Sequence, residues 1–100
     1  MSVIETTTFR LVDGADEAAF LAADRRVQTE FAYQQPGIIR RTTGRGGTHA
    51  GDRWLVLTLW ASEAHAETSA ALGEESTTVR SLLSFVDADS VEVCRYADLG

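Results

Sequence analysis

The sequence predicts an α+β domain whose elements run strand, helix, strand, strand, helix, strand. Three observations lead there. Apolar residues recur at helical spacing from Ala15 to Gln35, both faces of Trp54 to Trp60 are apolar, and alternating or β-branched segments stand near either end, at Val3 to Val12 and Val91 to Tyr96. Helix and strand periodicities thus alternate along a chain of 100 residues, the length of one domain with a real core.

Taken in order, Val3 to Val12 sets Val3, Phe9 and Leu11 on one face and Ile4, Thr6, Thr8 and Arg10 on the other, as a strand does. Asp13-Gly14 turns the chain. Asp16 and Glu17 place negative charge in the first turn of the following helix, where the macrodipole favours it. At about 100° per residue, Glu17, Phe20, Leu21, Asp24, Val27, Gln28, Phe31 and Gln35 share one side, and Ala18, Ala22, Arg25, Arg26, Thr29 and Tyr33 the other. The phenylalanine side is therefore the buried one. Pro36 cannot continue the helix and Gly37 relaxes the backbone, so it ends near Tyr33 or Gln34.

Ile38 to Thr43 reads as a second strand. Thr42 to Arg53 holds Gly44, Gly46, Gly47 and Gly51 among polar residues and reads as a long hairpin loop. It lacks the lysine and the following helix that a phosphate-binding loop requires. Trp54, Val56, Thr58 and Trp60 then share one face of a strand and Leu55, Leu57 and Leu59 the other, the pattern of a central strand covered on both sides. Ser62 caps a helix from Glu63 to about Leu72, closed by Gly73, and Val79, Leu82 and Leu83 mark a short further helix within Glu74 to Leu83. Val91, Val93 and Arg95 alternate with Glu92, Cys94 and Tyr96 in the last strand.

This order is the ferredoxin-like βαββαβ unit with a four-stranded antiparallel sheet, occupying residues 1–100 as a single domain. Two helices cover only one face of such a sheet. Because the central strand has leucines on one face and tryptophans on the other, the uncovered face would be an apolar patch larger than a monomer usually exposes, so a homodimer through the sheet faces is expected.

Composition narrows the partners. A net charge of −6 and a pI near 4.7 argue against nucleic acid and against an anionic membrane surface, both of which need a basic footprint. All nine basic residues are arginine, which excludes Schiff-base or lysine-nucleophile chemistry. Cys94 is the only cysteine, so neither an internal disulfide nor a thiolate metal cluster is expected. The start of the chain carries Glu5 and threonines in place of a basic segment and apolar core, and no apolar run is long enough to span a bilayer, so a cytoplasmic protein is expected.

The sharpest candidates for function are Asp24 and Gln28, polar residues in the middle of an apolar helix face. A buried carboxylate without a partner costs several kcal/mol or takes up a proton, so this polar line either meets a matching group or borders a cavity. In one reading Asp24 faces a pocket and accepts a proton from a phenolic or enolic substrate while Gln28 orients an oxygen. In the other, Asp24 pairs with a strand arginine, Arg10, Arg41 or Arg95, and Gln28 bonds a nearby carbonyl. Phe20, Phe31 and Trp60 would be aromatic walls for a ligand, or plain core. His65, early in the second helix, is a base or ligand candidate, or a locally bonded side chain. No second His, Glu or Cys stands at ligand spacing with His65 or His49, so no metal site is expected. Ser62 lacks the Gly-x-Ser-x-Gly context of a hydrolase and reads as a cap, and Cys94 lacks a histidine partner.

Phe20, Asp24, Gln28 and Phe31 on the first helix, Pro36-Gly37 and Arg41 after it, and Trp54 and Trp60 leading into Ser62 and Glu63 resemble the antibiotic biosynthesis monooxygenase-like proteins of the dimeric α/β-barrel superfamily. The resemblance implies a homodimer with a pocket in each subunit between helices and sheet. It also implies a range of activities. These include cofactor-independent oxygenation of polycyclic phenols, haem degradation, isomerisation or lactone processing, and binding without catalysis. The haem-degrading members pair a helix histidine with an asparagine on the first strand; Val3 to Val12 holds no asparagine, and His65 follows Trp60 too closely for that pattern. The leading expectation from the resemblance is a pocket for a small apolar or aromatic molecule, used without metal or flavin, with a non-catalytic binding protein and an isomerase or lactone-processing enzyme as alternatives. Asp24 would be the base, Gln28 and Arg41 would hold oxygen atoms, and Trp60 would be a stacking wall. A cavity of about 300 Å³ or more is the condition for that reading.

Overall fold

The computed structural model describes residues 1–100. It contains strand β1 (Val3–Phe9), helix α1 (Glu17–Arg26), strands β2 (Ile38–Arg45) and β3 (Trp54–Trp60), helices α2 (Glu63–Gly73) and α3 (Thr77–Leu83), and strand β4 (Glu92–Ala97). The four strands form one antiparallel sheet in the order β2-β3-β1-β4, the ferredoxin-like arrangement expected. No helix is long and apolar enough to cross a membrane.

β1 is shorter than the alternation predicts. Past Phe9 the backbone leaves the sheet for a second partner. The Arg10 N–H donates to Ser90 Oγ at 2.8 Å, the Asp87 N–H to the Arg10 carbonyl at 2.9 Å, and the Val12 N–H to the Phe85 carbonyl at 2.9 Å. Residues 10–12 thus pair with the segment leading into β4 instead of extending the strand.

The first helical segment reaches Gln34 as expected, but not as one α-helix. Asp16 caps α1 by accepting from the Ala19 N–H, and after Arg26 the backbone opens into a π-helical turn (Val27–Phe31) and then tightens into a 3₁₀ turn (Ala32–Gln34). A π turn advances fewer degrees per residue than an α turn, so it rotates everything after it. Tyr33, which an ideal helix would point away from the buried side, instead bonds strand β2. Its hydroxyl accepts from the Arg41 N–H at 3.0 Å and donates to the Arg41 carbonyl at 3.2 Å.

β2 runs two residues past its expected end, with a bulge between Ile38 and Arg40. Ser62 caps α2 by accepting from the His65 N–H, and Ser76 caps α3 in the same way through Val79, so the third helix starts later than Glu74. Between α1 and β2, Gly37 adopts φ +82° beside the His65 ring; a Cβ there would lie 2.2 Å from His65 Cγ, so only glycine fits.

The helices lie on one face of the sheet. On that face Phe20 is fully buried, its ring edge-on to Phe9, Trp54 and Phe85 at centroid distances of 5.9, 4.9 and 6.3 Å. These rings, with Val27, Leu82 and Val86, form one apolar cluster; Val3, Trp60 and Ala66, with Ile38 against them, form another. The opposite face carries Ile4 and the partly buried Leu55, Leu57 and Leu59, together with Cys94 and Tyr96 on the edge strand. There hydrogen bonding and electrostatic interaction with the neighbouring Cys94 side chain push the ionisation of the Tyr96 phenol above its usual range.

Candidate functional site

A cavity of about 420 Å³ separates the two clusters, with the sheet as its floor and the helical segments as its roof. Fifteen of its 23 lining residues are hydrophobic, among them Phe9, Val27, Phe31, Val56, Trp60 and Leu82. The volume falls in the range of small-molecule sites.

Four of its polar residues fall in line. Cross-strand register makes Arg41 the neighbour of Thr58, Thr58 the neighbour of Glu5, and Glu5 the neighbour of Arg95, so one residue from each strand forms a row across the whole sheet. All four line the cavity. On its β4 side Glu5 Oε2 accepts from Arg95 Nε at 2.8 Å, and Oε1 accepts from Trp60 Nε1 at 3.3 Å. On its β2 side Arg41 is locked from behind: Nη2 donates to Asp24 Oδ1 at 2.7 Å and Nη1 to Gln28 Oε1 at 3.4 Å. Thr43 Oγ1 donates to the other carboxylate oxygen, Asp24 Oδ2, at 2.6 Å. Both Asp24 and Arg41 are buried, so the pair is a desolvated ion pair that also has hydrogen bonds on its spare lone pair.

The expected site residues therefore separate into groups. Phe31, Arg41 and Trp60 line the cavity. Asp24 and Gln28 stand behind Arg41 and do not line it, because the guanidinium reaches across and takes both side chains as partners. Phe20 does not line it either; ring packing on three sides holds it in the core. His65 lies apart, in a polar recess of about 200 Å³ with Gln35, Pro36 and Thr68, its Nδ1 2.7 Å from Ser62 Oγ. Ser69 is a wall of both spaces. No three His, Cys, Asp or Glu side chains converge as metal ligands would.

No protein-family model matches the sequence, and no curated protein matches it. Solved structures do. SnoaB, a cofactor-independent oxygenase from Streptomyces nogalater, superposes with a TM-score of 0.78 at 17% identity, covering 99% of this chain and 94% of that one. The fold is that of the antibiotic biosynthesis monooxygenases. Two structures proposed to be such monooxygenases agree. One from Bordetella bronchiseptica has a TM-score of 0.74 at 17% identity, covering 98% of this chain and 97% of that one. One from Caulobacter crescentus has a TM-score of 0.76 at 14% identity, covering 99% and 91%.

In the row across the sheet, Glu5 and Thr58 are the residues that sequence reasoning did not single out, and Arg95 entered it only as a possible partner of Asp24. A signal for them exists. Glu5 shares strand parity with Val3 and Phe9, and Arg95 with Val91 and Val93, so an acid and a base sit on the inward faces of two strands that turn out to be neighbours. Parity puts both on the apolar face; only the sheet order brings them together.

Proposed function

We propose that the chain is a homodimer joined through the open sheet face and that each subunit's cavity binds a flat, largely apolar aromatic or polyketide-like molecule bearing phenolic or enolic oxygens, which it oxygenates with O₂ and without metal or flavin. The observation that carries this reading is the cavity of about 420 Å³, apolar in its walls and crossed by one row of hydrogen-bonding side chains. The similarity to SnoaB, named as a cofactor-independent oxygenase, agrees with it.

In this reading the substrate is its own reductant. A CH₂ flanked by aromatic or carbonyl groups gives up one proton to water, the carbanion passes electrons to O₂, and a C–O bond forms to give a peroxide. Loss of the second C–H proton as the O–O bond breaks leaves one oxygen atom as a carbonyl, and the other leaves as water. The protein supplies geometry and charge: Trp60 and Phe31 hold the ring plane, the apolar walls exclude water, and Arg41 stabilises the oxyanion of the deprotonated substrate. Asp24 and Gln28 serve this chemistry through Arg41, whose head they fix. Asp24 is then a positioning residue and not the base, since it is buried behind Arg41 and does not border the ligand space. Ile4, Leu55, Leu57 and Leu59 supply the apolar surface for the second copy.

The test is native mass spectrometry for the dimer, followed by incubation of a hydroxyanthrone with the protein under ¹⁸O₂. The expected outcome is dimer mass, oxygen uptake equal to substrate consumed, and one labelled atom in the product. A ligand bound but unchanged would leave a binding or accessory protein; turnover without oxygen uptake would indicate an isomerase or a lactone-processing enzyme.

A further inference from the structure

The row across the cavity floor is chemically asymmetric. Arg41 is almost closed off, with a side chain 6% exposed and both terminal nitrogens engaged, so it offers the cavity only its residual N–H donors. Two strands away, about 10 Å at the backbone, stands Glu5. Its carboxylate accepts one bond at each oxygen, from Arg95 and Trp60, which uses about half of its lone-pair capacity. Those two donors also fix it, so it cannot turn away from what enters. Its side chain is 16% exposed, and it lines the cavity.

A fixed carboxylate facing an apolar space discriminates by what it lacks. A ligand that brings an O–H replaces the water it displaces. A ligand of the same shape without a donor strips the carboxylate of water and returns nothing, and sites of this kind reject such analogues strongly. We infer that Glu5 is the specificity-determining residue of this cavity: its carboxylate accepts the hydroxyl hydrogen of a phenolic or enolic ligand whose carbonyl oxygen is turned toward Arg41. Thr58, between the two in the row, bonds no other side chain and lines the floor beneath the ring system. This inference rests on the small-molecule reading above and adds to it the ligand's orientation and its obligatory donor.

The test measures binding only, so that it is independent of oxygenation. Isothermal titration calorimetry is run with a dihydroxyanthraquinone whose hydroxyls stand away from its carbonyls, with its dimethyl ether, and with the parent anthraquinone; all are already at the quinone level, so O₂ does not consume them. The wild-type chain should prefer the dihydroxy compound over both others by about ten- to a hundredfold. Glu5→Gln, confirmed as folded by circular dichroism, should reduce that preference to a few-fold. Equal affinity of the wild type for all three overturns the assignment of Glu5 while leaving the pocket reading intact, and does so whether or not the variant folds. An undiminished preference in folded Glu5→Gln overturns it equally. Binding of none of the three removes the small-molecule reading and this inference with it.

Discussion

Asp24–Arg41 and Glu5–Arg95 are the same kind of acid–arginine contact at nearly the same separation, 2.7 and 2.8 Å, yet the fold uses them differently. In the first, helix α1 meets the edge strand β2 and the side chains are 7% and 6% exposed; Arg41 and Thr43 take one carboxylate oxygen each. In the second, both partners belong to the sheet, the side chains are 16% and 26% exposed, and the carboxylate borders the cavity. Enclosure separates the two roles. A carboxylate sealed behind its partner positions that partner, whereas one left facing an apolar space recognises what enters it.

That contrast predicts unequal costs. Asp24→Ala leaves a guanidinium buried with no counter-charge and should lower unfolding stability by about 3–5 kcal/mol, read from urea denaturation. Asp24→Leu combined with Arg41→Met should recover most of the loss, because it removes the stranded charge along with the pair. Glu5→Gln keeps the shape and leaves Arg95 partly in solvent, so about 1 kcal/mol is expected. Equal costs for the two single substitutions would show that enclosure does not distinguish the pairs.

The sequence discloses one pair far better than the other. Asp24 falls at the centre of an apolar helix face, which announces a partner or a cavity, and Arg41 stands among its possible partners. The choice between the two readings depends on how β2 sits against the helix. That placement is set partly by the π turn after Arg26, which lets Tyr33 clamp the Arg41 backbone, and helical periodicity gives no warning of it. Glu5 is harder to find. It lies in a run of threonines, and its two partners, Trp60 and Arg95, are distant in sequence and reach it only through the register of β1 with β3 and β4. The element order, by contrast, follows from short-range signals: the Ser62 cap, the Pro36-Gly37 break and the two-faced apolar strand Trp54–Trp60. Where a strand failed to run its expected length, at Arg10 to Val12, a non-local partner had taken its hydrogen bonds.

Thr43→Val probes the seal around Asp24 more finely. It removes the 2.6 Å hydrogen bond to Asp24 Oδ2 while keeping the side chain's size, and should cost about 1 kcal/mol or somewhat more in thermal or urea unfolding. Ligand discrimination measured with the anthraquinone series should not change, since Thr43 lies behind Arg41 and does not line the cavity. A shift in ligand preference would mean that Asp24 communicates with the ligand directly, and would return it to the recognition role assigned to Glu5.

The smallest effect belongs to a third acid–arginine contact, Glu17 with Arg45, which joins the same two elements, α1 and β2, as Asp24–Arg41 does. Here the arginine and glutamate side chains are 63% and 46% exposed, so water already solvates both charges and salt screens what attraction remains. Arg45 has a second anchor, its guanidinium standing 5.4 Å from the centre of the Trp54 ring, and would stay in place without Glu17. Glu17→Gln should therefore change stability by no more than about 0.5 kcal/mol, and the difference should vanish at high salt. Two ion pairs bridging one helix and one strand would then differ in worth by several-fold, with enclosure as the variable that changes. A cost for Glu17→Gln approaching that of Asp24→Ala would put the energy in the bridging of α1 to β2 itself, and enclosure would no longer sort the three pairs.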